Sequence, residues 1–139
     1  MDRFTSAERS RIMRQVKGRN TGPELTVRKI LHGMGLRFRL HRDNLPGKPD
    51  VVLPKWKAVI FVNGCFWHQH AGCPRAARPR SNAAFWNRKL DRNVARDCEN
   101  VRRLLACGWR TMTLWECRIK DTPAFRRKLE RFIRKASPC

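Results

Sequence analysis

The longest unbroken apolar run in the chain, AVIFV at 58–62, ends at Asn63-Gly64 and passes directly into CFWHQHAGC at 65–73. A short apolar run rich in β-branched side chains and bounded by turn signals reads as the most buried strand of a sheet. Such a strand needs helices to cover it, and the neighbouring segments supply them. TGPE at 21–24 is a capping-box signal. Val27, Ile30, Leu31 and Met34 follow at helical spacing, and Gly35 stops the helix. TSAE at 5–8 gives the same signal for a short basic helix ending near residues 18–20.

Leu36, Phe38 and Leu40 alternate with Arg37, Arg39 and His41, the pattern of a half-buried strand over 36–41. Turns at 44–49 and 54–57 separate it from strands over 50–53 and 58–62. A long helix is expected over 85–107, with Leu90, Val94, Val101 and Leu105 on its covered face. Gly108 ends that helix ahead of a strand over 109–115, and Asp121-Thr122-Pro123 caps a final helix carrying Phe125, Leu129, Phe132 and Ile133. The order is α-α-β-β-β-α-β-α, an α/β chain. Short turns make the first three strands an antiparallel meander, and the long helix returns the fourth parallel to the third. A mixed β-sheet flanked by helices follows, as one domain over 1–139: an N-terminal helix at 1–20, a core at 21–117 and a C-terminal helix at 118–139.

Lys plus Arg number 32 against 11 Asp plus Glu, so 32 − 11 gives a formal charge of +21. Self-repulsion of that size destabilises a compact chain, and a polyanionic partner explains it. The charge is spread through the helical segments, which suits a folded surface tracking phosphates. No stretch has the apolar length of a signal peptide or a membrane span, so a cytoplasmic chain without a membrane partner is expected. In a reducing compartment six cysteines argue for metal ligands or buried thiols. Nothing points to self-association, and a monomer is expected.

Cys65, His70 and Cys73 place three soft ligands within nine residues, and Cys117 lies just past the fourth strand. Parallel pairing of the third and fourth strands would bring their C-terminal ends together. Three cysteines and a histidine suit a closed tetrahedral zinc site that staples a loop too polar to fold alone. Cys98, Cys107 and Cys139 have no such company and read as core or tail thiols. His68 is left outside the ligand set, and an imidazole titrating near neutrality is suited to take a proton from water. A structural or merely exposed histidine is the alternative.

Asp50 opens the second strand. With a backbone carbonyl from the neighbouring strand end it makes a hard oxygen site for Mg²⁺, or it is a plain turn acid. Glu24 could join it from its helix, or serve only as the third residue of its capping box. Asp97 could orient His68 or pair with a nearby arginine.

Taken in order, Pro49-Asp50, VIFVNGCFWH at 59–68, Phe85-Trp86, NVARD at 93–97 and Trp115-Glu116-Cys117 resemble the very short patch repair endonucleases. The resemblance runs from about Arg9 to Cys117 and implies a restriction-endonuclease-like fold. It further implies a Mg²⁺-dependent enzyme, with two such ions and one structural Zn²⁺. Such an enzyme nicks double-stranded DNA 5′ to the thymine of a T:G mismatch left when 5-methylcytosine deaminates. Mismatch-repair proteins and a cytosine-5 methyltransferase system are its implied partners. Carried over by position, Asp50 and the main-chain carbonyl of Val62 hold Mg²⁺, Glu24 holds metal-bound water, His68 is the general base and Asp97 supports it. Cys65, His70, Cys73 and Cys117 match the zinc set. Phe66, Trp67 and Trp86 match an aromatic wedge, Met13 a wedge from the other groove, and Lys89 and Asn93 positions facing the mismatched pair. Val62 stands where threonine is typical. Asn63 stands where histidine is common, which is expected to weaken the surroundings of Mg²⁺.

Two other readings use the same residues. One is a zinc-stapled DNA-binding module without chemistry. The other is a zinc hydrolase using His68 and His70, against which the thiolate-rich ligand set argues.

Overall fold

The computed structural model describes residues 21–134; the helix expected within 1–20, Met13 and Cys139 lie outside the described residues. The described chain runs α1 (Gly22–Gly33), β1 (Arg39–Leu40), β2 (Val51–Leu53), β3 (Ala58–Asn63), α2 (Ala83–Ala106), β4 (Arg110–Trp115) and α3 (Pro123–Arg134). The strands lie in the order β1-β2-β3-β4. β1, β2 and β3 form the antiparallel meander, and β4 returns parallel to β3, as the connection lengths require.

Strand alternation sends the apolar side chains to both faces. Val51, Leu53, Ala58, Ile60 and Leu114 pack with Val27, Ile30 and Leu31 of α1 and Phe125, Leu129 and Ile133 of α3. Val52 and Val59 point the other way, to Leu104, with Leu45, Phe61 and Trp109 around them. β3 is therefore the doubly covered strand that its composition announces. Val59 and Ile60 are fully buried, each contributing about 1.5–3 kcal/mol by removal from water. The turn ahead of β2 is seated by Gly47 at φ 76°, where a Cβ would lie 3.0 Å from Asn100 Cβ. Only glycine fits so close to α2 in that conformation.

Three expectations are corrected. The strand expected over 36–41 contracts to Arg39–Leu40, with Leu40 39% exposed. It is an edge strand, and His41 at φ 48° turns the chain out of the ladder. Second, the covered face of α2 is not the stripe of Leu90, Val94, Val101 and Leu105. Leu90 and Leu104 are buried, whereas Val94 and Leu105 are exposed and Val101 is half-buried. Between the two leucines the inward positions belong to Asn93 and Asp97, which hydrogen-bond to Trp67 and His68. The stripe is apolar at its ends and polar where it crosses a cleft, so apolar residues alone misplace it. Third, Cys98 and Cys107 are exposed rather than core thiols.

Arg110, at the start of β4, ties the end of α3 to the sheet. Its Nη2 donates to Trp56 O and Ile133 O, each at 2.9 Å, and its Nη1 donates to Phe132 O. The last carbonyls of a helix lack intrahelical partners, and a cation there also meets the negative end of the helix dipole. Arg110→Met is expected to lower the unfolding free energy by about 2–3 kcal/mol. Urea titration checks this, with the midpoint moving and the slope unchanged.

Candidate active site

The parallel register pairs Asn63 with Trp115, so the chain leaves β3 and β4 side by side. The Cys65 N–H donates to Glu116 Oε1 at 3.1 Å, locking the two exits together. A tight turn follows, with the His68 N–H donating to Gly64 O at 3.1 Å and the His70 N–H to Cys65 O at 2.9 Å. That turn folds His70 back onto Cys65. His70 Nδ1 lies 3.6 Å from Cys65 Sγ and 3.4 Å from Cys117 Sγ, and Cys73 Sγ lies 3.9 Å from Cys117 Sγ. Ligands at about 2.0–2.3 Å from a tetrahedral ion stand roughly 3.5–3.8 Å apart. Cys65, His70, Cys73 and Cys117 thus already define the edges of such a tetrahedron. The His70 ring stacks on Trp115 with centroids 4.3 Å apart, which fixes its plane.

The knuckle forms one wall of a cleft of about 660 Å³ that also holds Glu24, Asp50, Val62, Asn63, Phe66, Trp67, His68, Lys89, Asn93, Arg96 and Glu116. Asp50 Oδ2 accepts the Val62 N–H at 2.6 Å. The contact between these two residues thus runs through the Val62 amide. Burial pushes the Asp50 carboxyl up to about 6, further raised by Glu24 and opposed by the Val62 N–H, His68 and Arg28. A carboxylate largely withdrawn from water at the edge of a cleft suits a hard cation. Glu24 stands at the helix start and at the cleft at once. Its N–H donates to Thr21 Oγ1 at 3.4 Å at the start of α1, while its side chain is buried at the cleft, 3.1 Å from Arg28 Nη2.

His68 Nδ1 lies 2.6 Å from Asp97 Oδ2, both side chains about a third exposed. A carboxylate accepting at Nδ1 places the imidazole proton there and leaves the Nε2 lone pair free. Above them the aromatic rings cluster. Phe66 and Trp67 are half-buried, with centroids 5.0 Å apart and near perpendicular. Trp86 is 2% exposed and packs beneath both, 5.6 Å from Phe66 and 5.9 Å from Trp67. It is the floor of the cluster, and Phe85, 48% exposed, flanks it. Asn93 Nδ2 donates to Trp67 O at 3.1 Å.

Several site residues escape a reading of the sequence. Arg78 donates to Gln69 Oε1, Asn87 Oδ1 and Asp91 Oδ1 at 2.7–3.0 Å, pinning the knuckle loop to α2. His41 sits beside Asp50 because its N–H pairs with Asp50 O across the β1–β2 edge. Drawing that register would have placed it there, whereas alternation alone put it on the solvent side of a strand. Glu24 and Arg28, four apart on α1, carry an ion-pair spacing that is visible in sequence.

A mixed sheet whose strand ends gather carboxylates and an aimed imidazole into one cleft beside a Cys/His knuckle has the layout of a nuclease. The fold is similar to the catalytic domain of homing endonuclease I-Bth0305I, with TM-score 0.56, 23% identity, and 81% of this chain and 94% of that chain covered. The chain belongs to the DNA mismatch endonuclease Vsr family, whose model matches residues 1–74. It is similar to Type II nicking enzyme V.XorIIP of Xanthomonas oryzae pv. oryzae, 43% identical over 132 residues, covering 95% of this chain and 96% of that protein. It is also similar to DNA mismatch endonuclease Vsr of Escherichia coli, 40% identical over 119 residues, covering 86% of this chain and 76% of that protein. The protein is a DNA endonuclease. Among the described residues, no helix is long and apolar enough to cross a membrane.

The raised Asp50 carboxyl has a stability consequence. In the metal-free protein the folded state holds this proton more tightly than the unfolded chain. Its stabilisation is complete below the ordinary value of 3.8 and is lost as pH rises through about 6. At pH 7 the buried charge is a net cost, so Asp50→Asn is expected to raise the metal-free Tm by roughly 4–8 °C. Thermal melts across pH check this, the gain fading near the unfolded value. Cys73→Ala, which removes one of the four side chains that could hold a metal ion, is expected to lose the ion that a chelating dye draws from wild type and to lower Tm by more than about 10 °C.

Proposed function

We propose that this protein nicks DNA on the 5′ side of the thymine in a T:G mismatch, the lesion left by deamination of 5-methylcytosine, and so opens a short repair patch. The observation that carries the reading is the shared cleft. Asp50, the imidazole aimed by Asp97, and Phe66 and Trp67 all line one cleft of about 660 Å³.

Zinc is the ion for the knuckle, because three thiols and one imidazole at tetrahedral spacing match its ligand preference. Asp50 and the backbone oxygen of Val62 would hold Mg²⁺, which supplies charge neutralisation at the scissile phosphate. His68 Nε2 takes the proton of the attacking water. Asp97, accepting from Nδ1, fixes the tautomer and stabilises the imidazolium that forms. Glu24 lies close enough to Asp50 to orient water at that end of the cleft.

Mismatch preference comes from deformability. Opening a base step costs a few kcal/mol and least at a mismatch. Phe66 and Trp67 recover roughly 1–3 kcal/mol per base by stacking. Trp86, buried beneath them, supports the inserted rings from below. Lys89 and Asn93, on the α2 wall, face the mismatched pair. The basic surface adds affinity that is blind to sequence and falls with salt.

Scission of T:G and paired duplexes with Mg²⁺ tests the reading. Asp50→Ala is expected to abolish nicking with DNA binding retained; an unimpaired rate would point instead to a DNA-binding module. His68→Ala is expected to slow nicking by about 10²–10⁴-fold, with fold and zinc content intact. Phe66→Ala is expected to lose T:G preference by more than it loses total affinity, measured on matched and mismatched duplexes.

A further inference from the structure

His41 stands against the two carboxylates at the acid end of the cleft. Its Nδ1 lies 3.9 Å from Asp50 Oδ1 and its Nε2 lies 3.4 Å from Glu24 Oε2. Ligand atoms of Glu24, His41 and Asp50 fall within 4.8 Å of one another. The Asp50 oxygen turned toward His41 is Oδ1, whereas Oδ2 is taken by the Val62 N–H. The imidazole is also held in place. Its side chain is 13% exposed, and its backbone adopts φ 48°, a left-handed conformation that few side chains take up.

We propose that His41 Nδ1 is a nitrogen ligand of the catalytic divalent cation, beside Asp50, and that it tilts the site toward Mn²⁺ over Mg²⁺. This inference rests on the cation site proposed above and adds a ligand to it. Mg²⁺ takes oxygen donors almost exclusively, whereas transition-series ions gain from imidazole nitrogen. The second nitrogen has the partner that ligation requires. Without a cation, Arg28 Nη2 lies 3.0 Å from Nε2. A guanidinium can only donate, so Nε2 accepts and the ring proton sits on Nδ1. When the Nδ1 lone pair binds a cation, the proton moves to Nε2 and faces Glu24 Oε2. That makes the carboxylate–imidazole–metal relay by which ligating histidines are oriented. Arg28 Nη2, no longer able to donate to that nitrogen, must swing off it, and keeps its ion pair with the same Glu24 oxygen.

The test is Mn²⁺ binding to the zinc-loaded, full-length protein without DNA, read by electron paramagnetic resonance of free Mn²⁺ and by spin-echo modulation from a bound ¹⁴N. Magnesium is titrated in competition. His41→Asn is the informative variant, because asparagine tolerates the left-handed backbone at this position. His41→Gln serves as the second variant, and circular dichroism verifies both folds. Wild type is expected to show ¹⁴N modulation that both variants lose. Mn²⁺ affinity is expected to fall by about tenfold or more and Mg²⁺ affinity by less than about threefold. Persistence of the modulation in a folded His41 variant, or its absence in wild type with Mn²⁺ bound, overturns the proposal and leaves the acid site standing. Equal loss of both ions also overturns it, because the role is then one of holding Asp50. Asp50→Asn separates the two levels: if that variant binds Mn²⁺ as wild type does, the cation site itself is wrong.

Discussion

The pairing of Asn63 with Trp115 across two parallel strands is the constraint on which the rest depends. Parallel neighbours end at the same edge of a sheet, so whatever follows them is forced together without any long-range loop design. Here that places Cys65 next to Cys117 and lets Glu116 accept the Cys65 amide. The knuckle built on this junction then sets the position of Phe66, Trp67 and His68 relative to Asp50, which enters from the antiparallel side through β2. Two halves of one site thus arrive by two kinds of strand pairing, and β3 belongs to both.

The electrostatics follow a similar division. Only 11 of 139 residues are acidic, yet Glu24, Asp50 and Glu116 line a single cleft and Asp97 stands just behind His68. Elsewhere the surface is overwhelmingly cationic and draws in a phosphate backbone at long range. At the Asp50 end of the cleft carboxylates gather, while Lys89 and Arg96 line the same space. A phosphate brought against those carboxylates meets like charge unless a cation stands between them. Asp50 already holds its proton above the usual carboxylate range, through burial first and with Glu24 adding to it.

Much of this arrangement was legible in the residues. Strand order followed from connection lengths, and the four knuckle ligands from their spacing and from the strand that returns Cys117. The pairing of Asp97 with His68 was one of two alternatives until the distance between them settled it. What stayed hidden was hidden for physical reasons. The inward stripe of α2 could not be read because Asn93 and Asp97, polar residues that a hydrophobic pattern assigns to solvent, cover the cleft. His41 was misjudged because a single left-handed residue ended its strand early. Trp86 looked like its aromatic neighbours in sequence, but its place in the first turn of α2 puts it beneath them. Arg78 carried no signal, since a lone arginine in a basic loop is indistinguishable from its neighbours until the loop is folded.

α2 holds Trp67 through Asn93 and His68 through Asp97, one helical turn apart. The first bond is made to the Trp67 backbone carbonyl and the second to the His68 imidazole, so one helix fixes both the path of the knuckle chain and the aim of a side chain on it. A shift of α2 along its axis therefore carries the two neighbours together.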